Sequence, residues 1–226
     1  MTINKNIFLA CDVSSHKEIL NLLELVHKDI SGIKIGLQYI TQRSPEEIRE
    51  LSKFKKPIFY DGKFFDIKNT LIESIKSLKD LNVNYATVHL LNGLDALKAA
   101  NQVAKEINLN LLGVSILTSF DNEDLKNLGF KNKVEDQVKK LIEIAMEANL
   151  YGVICSPHEI KMIKKIAPKL KCFTPGIRMK DVVDDQKRTM NANEAIKEGS
   201  DCLIIGRPIT EGDPKKNIKS ILSSID

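Results

Sequence analysis

The chain has 226 residues, 42% of them hydrophobic, and its 34 lysines and arginines outnumber 30 aspartates and glutamates to leave a net charge of +4. This is enough apolar material for one sizeable core, and the modest positive excess suits a small anionic substrate better than nucleic acid, because no basic block is interleaved with aromatics. No stretch approaches the roughly 18 to 20 apolar residues of a membrane span, and MTINKNIFLACDV has too short an apolar run for a signal peptide, so a cytoplasmic protein with neither membrane nor nucleic-acid partners is expected.

Along the chain, short apolar runs alternate with longer stretches of helical spacing. IFLACDV is followed by HKEILNLLELVHKDI, GIKIGLQYI by SPEEIRELSKF, and PIFYDGKF by the charged DIKNT segment. YATVHLL then precedes LDALKAANQVAKEI, LLGVSILT precedes VEDQVKKLIEIAMEA, GVICS precedes HEIKMIKKIA, and the last two runs are CFTPGIR and CLIIGR. Several helical stretches open with Ser, Asn, Asp or Pro, the residues that cap or start helices. Near-continuous apolar strands separated by helices predict a parallel sheet covered on its outer face. Eight such units averaging roughly 28 residues predict an α/β fold of the (β/α)₈ TIM-barrel type, as a single domain over residues 1–226. A doubly wound open sheet would carry a Gly-rich turn after the first strand, and CDVSSH has no glycine. Cys11, Cys155, Cys172 and Cys202 are far apart without C-x-x-C spacing, which reads as reduced, buried thiols.

Barrel active sites collect at the C-terminal ends of the strands, and polar residues recur there. The first run ends in Asp12, the second carries Lys34 between Gly32 and Gly36, and the third ends with Asp61 and Lys63. The fourth has His89 followed by Asn92, the fifth ends in Thr118 and Ser119, the seventh in Arg178, and the eighth in Gly206 and Arg207. Positions two apart on a strand face the same side, so Asp61 and Lys63 project together above Phe59, whereas Asp66 lies beyond the strand. Charges at such a site are tolerable as a network of alternating sign, which Lys34, Asp61, Lys63 and Asp66 can form. A lysine between carboxylates keeps its proton, so Lys63 is expected to donate one and not to form a Schiff base. Loops after the seventh and eighth strands commonly bind phosphate, with Gly206 admitting close backbone approach. His16, His27 and His158 read as surface or capping groups, His89 as a neighbour of the site, and no His, Asp or Glu spacing predicts a metal.

DGKFFDIKNT resembles the D-x-K-x-x-D-I-x-N-T signature of the orotidine 5′-phosphate decarboxylase family. LACDV, IKIG, GVICSPHE, TPGIR followed by DDQKR, and SDCLIIGRPITEGDP occur in the family's order along nearly the whole chain. The D-x-K-x-x-D core is shared with sugar-phosphate decarboxylases and hexulose-phosphate synthases; the longer motif with TPGIR and IIGRPIT is more specific. The resemblance implies conversion of orotidine 5′-phosphate to uridine 5′-phosphate without metal or organic cofactor, with Lys63 protonating C6 and Asp61 beside the departing carboxylate. It further implies that Lys34 and Asp12 hold ribose hydroxyls, Thr118 contacts the base, Gln186 and Arg207 serve the substrate's phosphate end, and Arg178 is another substrate-binding arginine. Asp66 and Thr70 would reach the neighbour's site across a homodimer. Two departures from the family pattern are Lys68, where proline is frequent, and a slightly short stretch from Arg178 to Gln186. A magnesium-dependent sugar-phosphate enzyme of the same superfamily and a non-catalytic nucleotide-phosphate-binding barrel remain the alternatives.

Overall fold

Each of the eight apolar runs forms a strand in the computed structural model, which describes residues 6–12, 15–178 and 189–225. The strands are β1 (Ile7–Ala10), β2 (Gly32–Gly36), β3 (Ile58–Phe64), β4 (Tyr85–His89), β5 (Asn110–Val114), β6 (Gly152–Ile154), β7 (Lys171–Thr174) and β8 (Cys202–Ile205). All neighbours pair in parallel and β1 closes on β8, so the sheet is the closed barrel that the alternation predicts. Between them run α1 (His16–Val26), α2 (Leu37–Ile40), α3 (Pro45–Glu50), α4 (Lys68–Ser77), α5 (Leu94–Glu106), α6 (Asn122–Asn127), α7 (Val134–Glu147) and α8 (Ile160–Ile166). The chain then adds α9 (Ala192–Lys197), α10 (Arg207–Thr210) and α11 (Pro214–Ser224). Ser44, Asp121, Asn191 and Asp213 accept backbone N–H bonds at the starts of α3, α6, α9 and α11, satisfying donors that a helix leaves unpaired at that end.

Alternation along each strand divides the apolar residues between two cores. Outward-facing Ile7, Leu9, Ile33 and Ile35 pack under helix residues such as Leu23 and Val26 in one continuous cluster. Inward-facing Phe8, Phe59, Leu112, Phe173 and Ile204 fill the barrel. The Phe8 ring meets Phe59, Tyr85 and Phe173 edge to face at 6.4, 5.5 and 5.9 Å, contacts worth about 0.5 to 1.5 kcal/mol each beyond their buried area. This aromatic plug is the floor of the site. Two residues further along β1, β2 and β3, the same inward face carries Ala10, Lys34 and Asp61.

All four cysteines are free and buried, and burial pushes the Cys11 thiol up to about 12, which suits packing and not nucleophilic chemistry. Among the described residues no helix is long and apolar enough to cross a membrane. His16 departs from the surface role expected of it. Its two ring nitrogens lie 2.6 Å from the Tyr39 hydroxyl and 2.9 Å from Glu50 Oε2, tying the start of α1 to the segment after β2.

Candidate active site

Lys34 enters from the middle of β2, where the floor below and the strands on either side leave it almost wholly buried, at 6% exposure. An ammonium there requires an anion, and Asp12, just past the end of β1, supplies it: Lys34 Nζ donates to both carboxylate oxygens at 2.7 and 3.0 Å. The glycine two residues after the lysine makes room for this pair. A Cβ on Gly36 would lie 2.8 Å from Asp12 Oδ1 and 3.2 Å from Lys34 Nζ. The IKIG spacing therefore has a steric cause. Asp12 keeps its outer side open to solvent, so the pair can still meet a polar ligand.

The second ion pair forms on β3, where Lys63 Nζ donates to Asp61 Oδ2 at 2.8 Å. Regular strand geometry is interrupted here. Tyr60 pairs with Ala86 and Phe64 with Val88, so β3 spends four steps where β4 spends two. The surplus is absorbed in a bulge, with Lys63 in the left-handed region at φ 47°, a conformation costing a non-glycine residue about 1 to 3 kcal/mol. Thr87, fully buried on β4, holds the bulge. Its Oγ1 accepts the Lys63 backbone N–H at 2.8 Å and donates to Asp61 Oδ1 at 2.9 Å. Asn92 closes the strand ends: its side-chain amide donates to the carbonyls of Phe64 and His89, and its oxygen accepts the Asp66 N–H.

Both ion pairs line one cavity of about 470 Å³ at the C-terminal mouth of the barrel. Ala10, Val114, Ile116, Ile154 and Ile204 form apolar walls, and Thr118, Arg178, Gly206, Arg207 and Thr210 line the rim. Strand β5 ends at Val114, so Thr118 lies on the loop beyond it and not at the strand end. Arg178 follows the Pro175–Gly176 turn and donates Nη1 to the Ile177 carbonyl at 2.9 Å. A Cβ on Gly206 would stand 3.4 Å from that of Ala10; packing inside the chain leaves room there, and the bare backbone faces the cavity. Among the described lining residues four cations, Lys34, Lys63, Arg178 and Arg207, face two carboxylates, Asp12 and Asp61. The excess of positive charge, together with apolar walls, fits an organic anion. Among the described residues no three His, Cys, Asp or Glu side chains converge as a metal site requires.

The single four-membered charge network does not form within the chain. Lys34 takes Asp12, Lys63 takes Asp61, and Asp66 turns its Oδ1 to the N–H of Ile67 at 2.7 Å. The physical reason is that β3 ends at Phe64 and the chain then turns outward, leaving Phe65 to Thr70 exposed. Neither Asp66 nor Thr70 lines the cavity. Gln186 lies outside the described residues, as do all the residues between Arg178 and Gln186.

A family model described as orotidine 5′-phosphate decarboxylase / HUMPS family matches residues 5–221. The chain belongs to that family. Curated relatives named orotidine 5′-phosphate decarboxylase include one from Wolbachia pipientis subsp. Culex pipiens, 37% identical over 97% of this chain and 98% of the relative. Another, from Ehrlichia canis, is 36% identical over 97% of both chains. Among solved structures, the orotidine 5′-phosphate decarboxylase of Lactobacillus acidophilus superposes with a TM-score of 0.86 at 27% identity, covering 98% of this chain and 99% of that one. The Pyrococcus horikoshii OT3 enzyme of the same name gives 0.79 at 25% identity, over 97% and 98%.

Membership extends over every residue placed around the cavity, and over Thr87, which motif reading passes over. Thr87 sits inside YATVHLL, where a polar residue in an apolar run is the only signal it leaves. Asn92 stands out in the sequence only by its position after the fourth strand; that it clamps β3 to β4 emerges from its three hydrogen bonds.

Proposed function

We propose that the chain decarboxylates orotidine 5′-phosphate to uridine 5′-phosphate, in the cytoplasm, without a cofactor and as a homodimer. The observation that carries this reading is the Asp61–Lys63 ion pair, 2.8 Å long, at the edge of a cationic cavity with apolar walls. The C6–carboxylate bond breaks, CO₂ leaves, and the electron pair stays on C6 in the plane of a ring that offers no sink for it. Lys63 meets that charge with a fixed ammonium and then transfers a proton from Nζ to C6. Because the ammonium is already held in place, little energy goes into reorienting dipoles as the charge develops. Asp61, which orients Lys63, also stands beside the substrate carboxylate and repels it.

Lys34 and Asp12 would hold the ribose hydroxyls, Thr118 the base, and Arg207, Arg178, the Gly206 backbone and Gln186 the phosphate end. Guanidinium groups match phosphate oxygens in geometry as well as charge. Binding energy from the remote phosphate would then be spent on excluding water around C6. The trans role of Asp66 and Thr70 is supported by the exposure around them. Phe65 and Ile67 are 62% and 74% exposed, which is what a face awaiting a second copy would present.

The family description spans HUMPS as well as orotidine 5′-phosphate decarboxylase, so the test must separate them. Loss of orotidylate absorbance is followed with purified protein in excess chelator, beside Lys63→Ala. Turnover by the unaltered chain, with more than about a 100-fold loss in Lys63→Ala and an unchanged circular dichroism spectrum, is expected. Activity that vanishes with chelator and returns with magnesium would favour the sugar-phosphate enzymes. An inert chain that still binds uridine 5′-phosphate would be a binding barrel.

A further inference from the structure

We infer that Thr87 is a positioning residue for the decarboxylation, acting through Asp61 and Lys63; the inference rests on the function proposed above and assigns a role to a residue outside its motifs. The bulge leaves three β3 residues, Asp61 to Lys63, beside a single β4 residue, Thr87, between the pairs Tyr60–Ala86 and Phe64–Val88. One buried hydroxyl then does two things at once. It accepts the N–H of Lys63 at 2.8 Å, which holds the left-handed backbone from which that lysine projects. It donates to Asp61 Oδ1 at 2.9 Å, which fixes the carboxylate so that Oδ2 faces Lys63 Nζ at 2.8 Å.

The result is a closed ring of hydrogen bonds through the backbone, hydroxyl, carboxylate and ammonium. Donating and accepting through one atom is a property of a hydroxyl. Valine has the same branched shape and can do neither; serine can do both. Without the hydroxyl, Asp61 loses the partner that sets its rotation, and the part-buried Lys63 N–H loses its acceptor. The Lys63 side chain would still be present. Its direction would no longer be held, and misplacement of a reacting group by about 1 Å costs rate far more than binding.

The test compares the unaltered chain, Thr87→Val and Thr87→Ser by orotidylate turnover, with active sites counted by uridine 5′-phosphate titration. Per titrated site, kcat of Thr87→Val is expected to fall about 10- to 100-fold. The dissociation constant for uridine 5′-phosphate, which lacks the carboxylate, should stay within about threefold, and Thr87→Ser should recover kcat to within about fivefold. A per-site kcat in Thr87→Val within twofold of the unaltered chain overturns the inference, as does a serine variant no better than valine. Should Thr87→Val fail to fold, Thr87→Cys replaces it, because cysteine has the shape of serine with a weakly hydrogen-bonding thiol in place of the hydroxyl; a kcat equal to that of Thr87→Ser would then overturn the inference. An unaltered chain with no turnover sinks the proposed function, and this role with it. Turnover by the unaltered chain that is indifferent to residue 87 sinks this role alone.

Discussion

His89 stands at the end of β4 with its imidazole half-buried, its ring 5.5 Å from that of Phe65 and the Lys63 ammonium nearby. Burial first, and repulsion from Lys63 second, hold its pKa below the ordinary histidine value. The neutral form is also the one that serves the loop, because Nδ1 accepts the N–H of Leu91 at 3.3 Å. A histidine whose pKa is lowered by folding binds its proton more readily in the unfolded chain. Its contribution to stability is therefore fully present above about pH 6.5 and is lost as the pH falls through the lower, folded value. His89→Asn keeps an acceptor for Leu91 and removes the titration, so the fall in Tm between pH 7.5 and 5.5 should be smaller than in the unaltered chain. Equal falls in scanning calorimetry would mean that His89 does not couple folding to pH.

At the scale of elements, Lys68 explains itself through helix geometry. It is the first residue of α4, with Ile67 before it at φ −58° and ψ 152°. That is the position where a helix tolerates proline best, since an N–H there has no partner within the helix, and the preceding extended residue is the one proline requires. The chain instead puts a cation at the positive end of a helix, offset by an exposed pair 2.7 Å from Asp95 of α5. Lys68→Pro should raise Tm by about 1 to 4 °C, by narrowing the unfolded ensemble while forfeiting an exposed ion pair. A lower Tm would show that Lys68 contributes more than a helix start. Elements of this kind were only partly legible. The eight strands could be read because both faces of a barrel strand are buried, which leaves continuous apolar runs. DIKNT reads as a charged tail of β3, although α4 begins inside it, because the helical residues it contains, Lys68 to Thr70, are all exposed and carry no apolar period. The bulge was not legible, since Lys63 adopts by tertiary constraint a backbone conformation that sequence would assign to glycine.

For the molecule as a whole, the question is whether one chain is a complete site. Within it, Lys63 touches one carboxylate, Asp61, and not the second that the motif spacing implied, while Asp66 turns toward its own backbone. The six residues from Phe65 to Thr70 are all exposed, two of them large and apolar. If a second copy covers that face by a twofold axis, each chain lends its Asp66 to the other's cavity and receives one in return. Lys63→Ala and Asp66→Ala chains are then each inactive alone, for different reasons. In a hybrid dimer, the cavity of the Asp66→Ala chain keeps its own Lys63 and takes Asp66 from the Lys63→Ala partner, so one site of the two is whole. Random exchange of an equal mixture should restore about a quarter of the unaltered site number, with a normal kcat per site. Subunit exchange is verified independently, by fluorescence transfer between labelled chains. Full exchange without recovered turnover would mean that Asp66 works in its own chain or not at all, and the exposed segment would need another explanation.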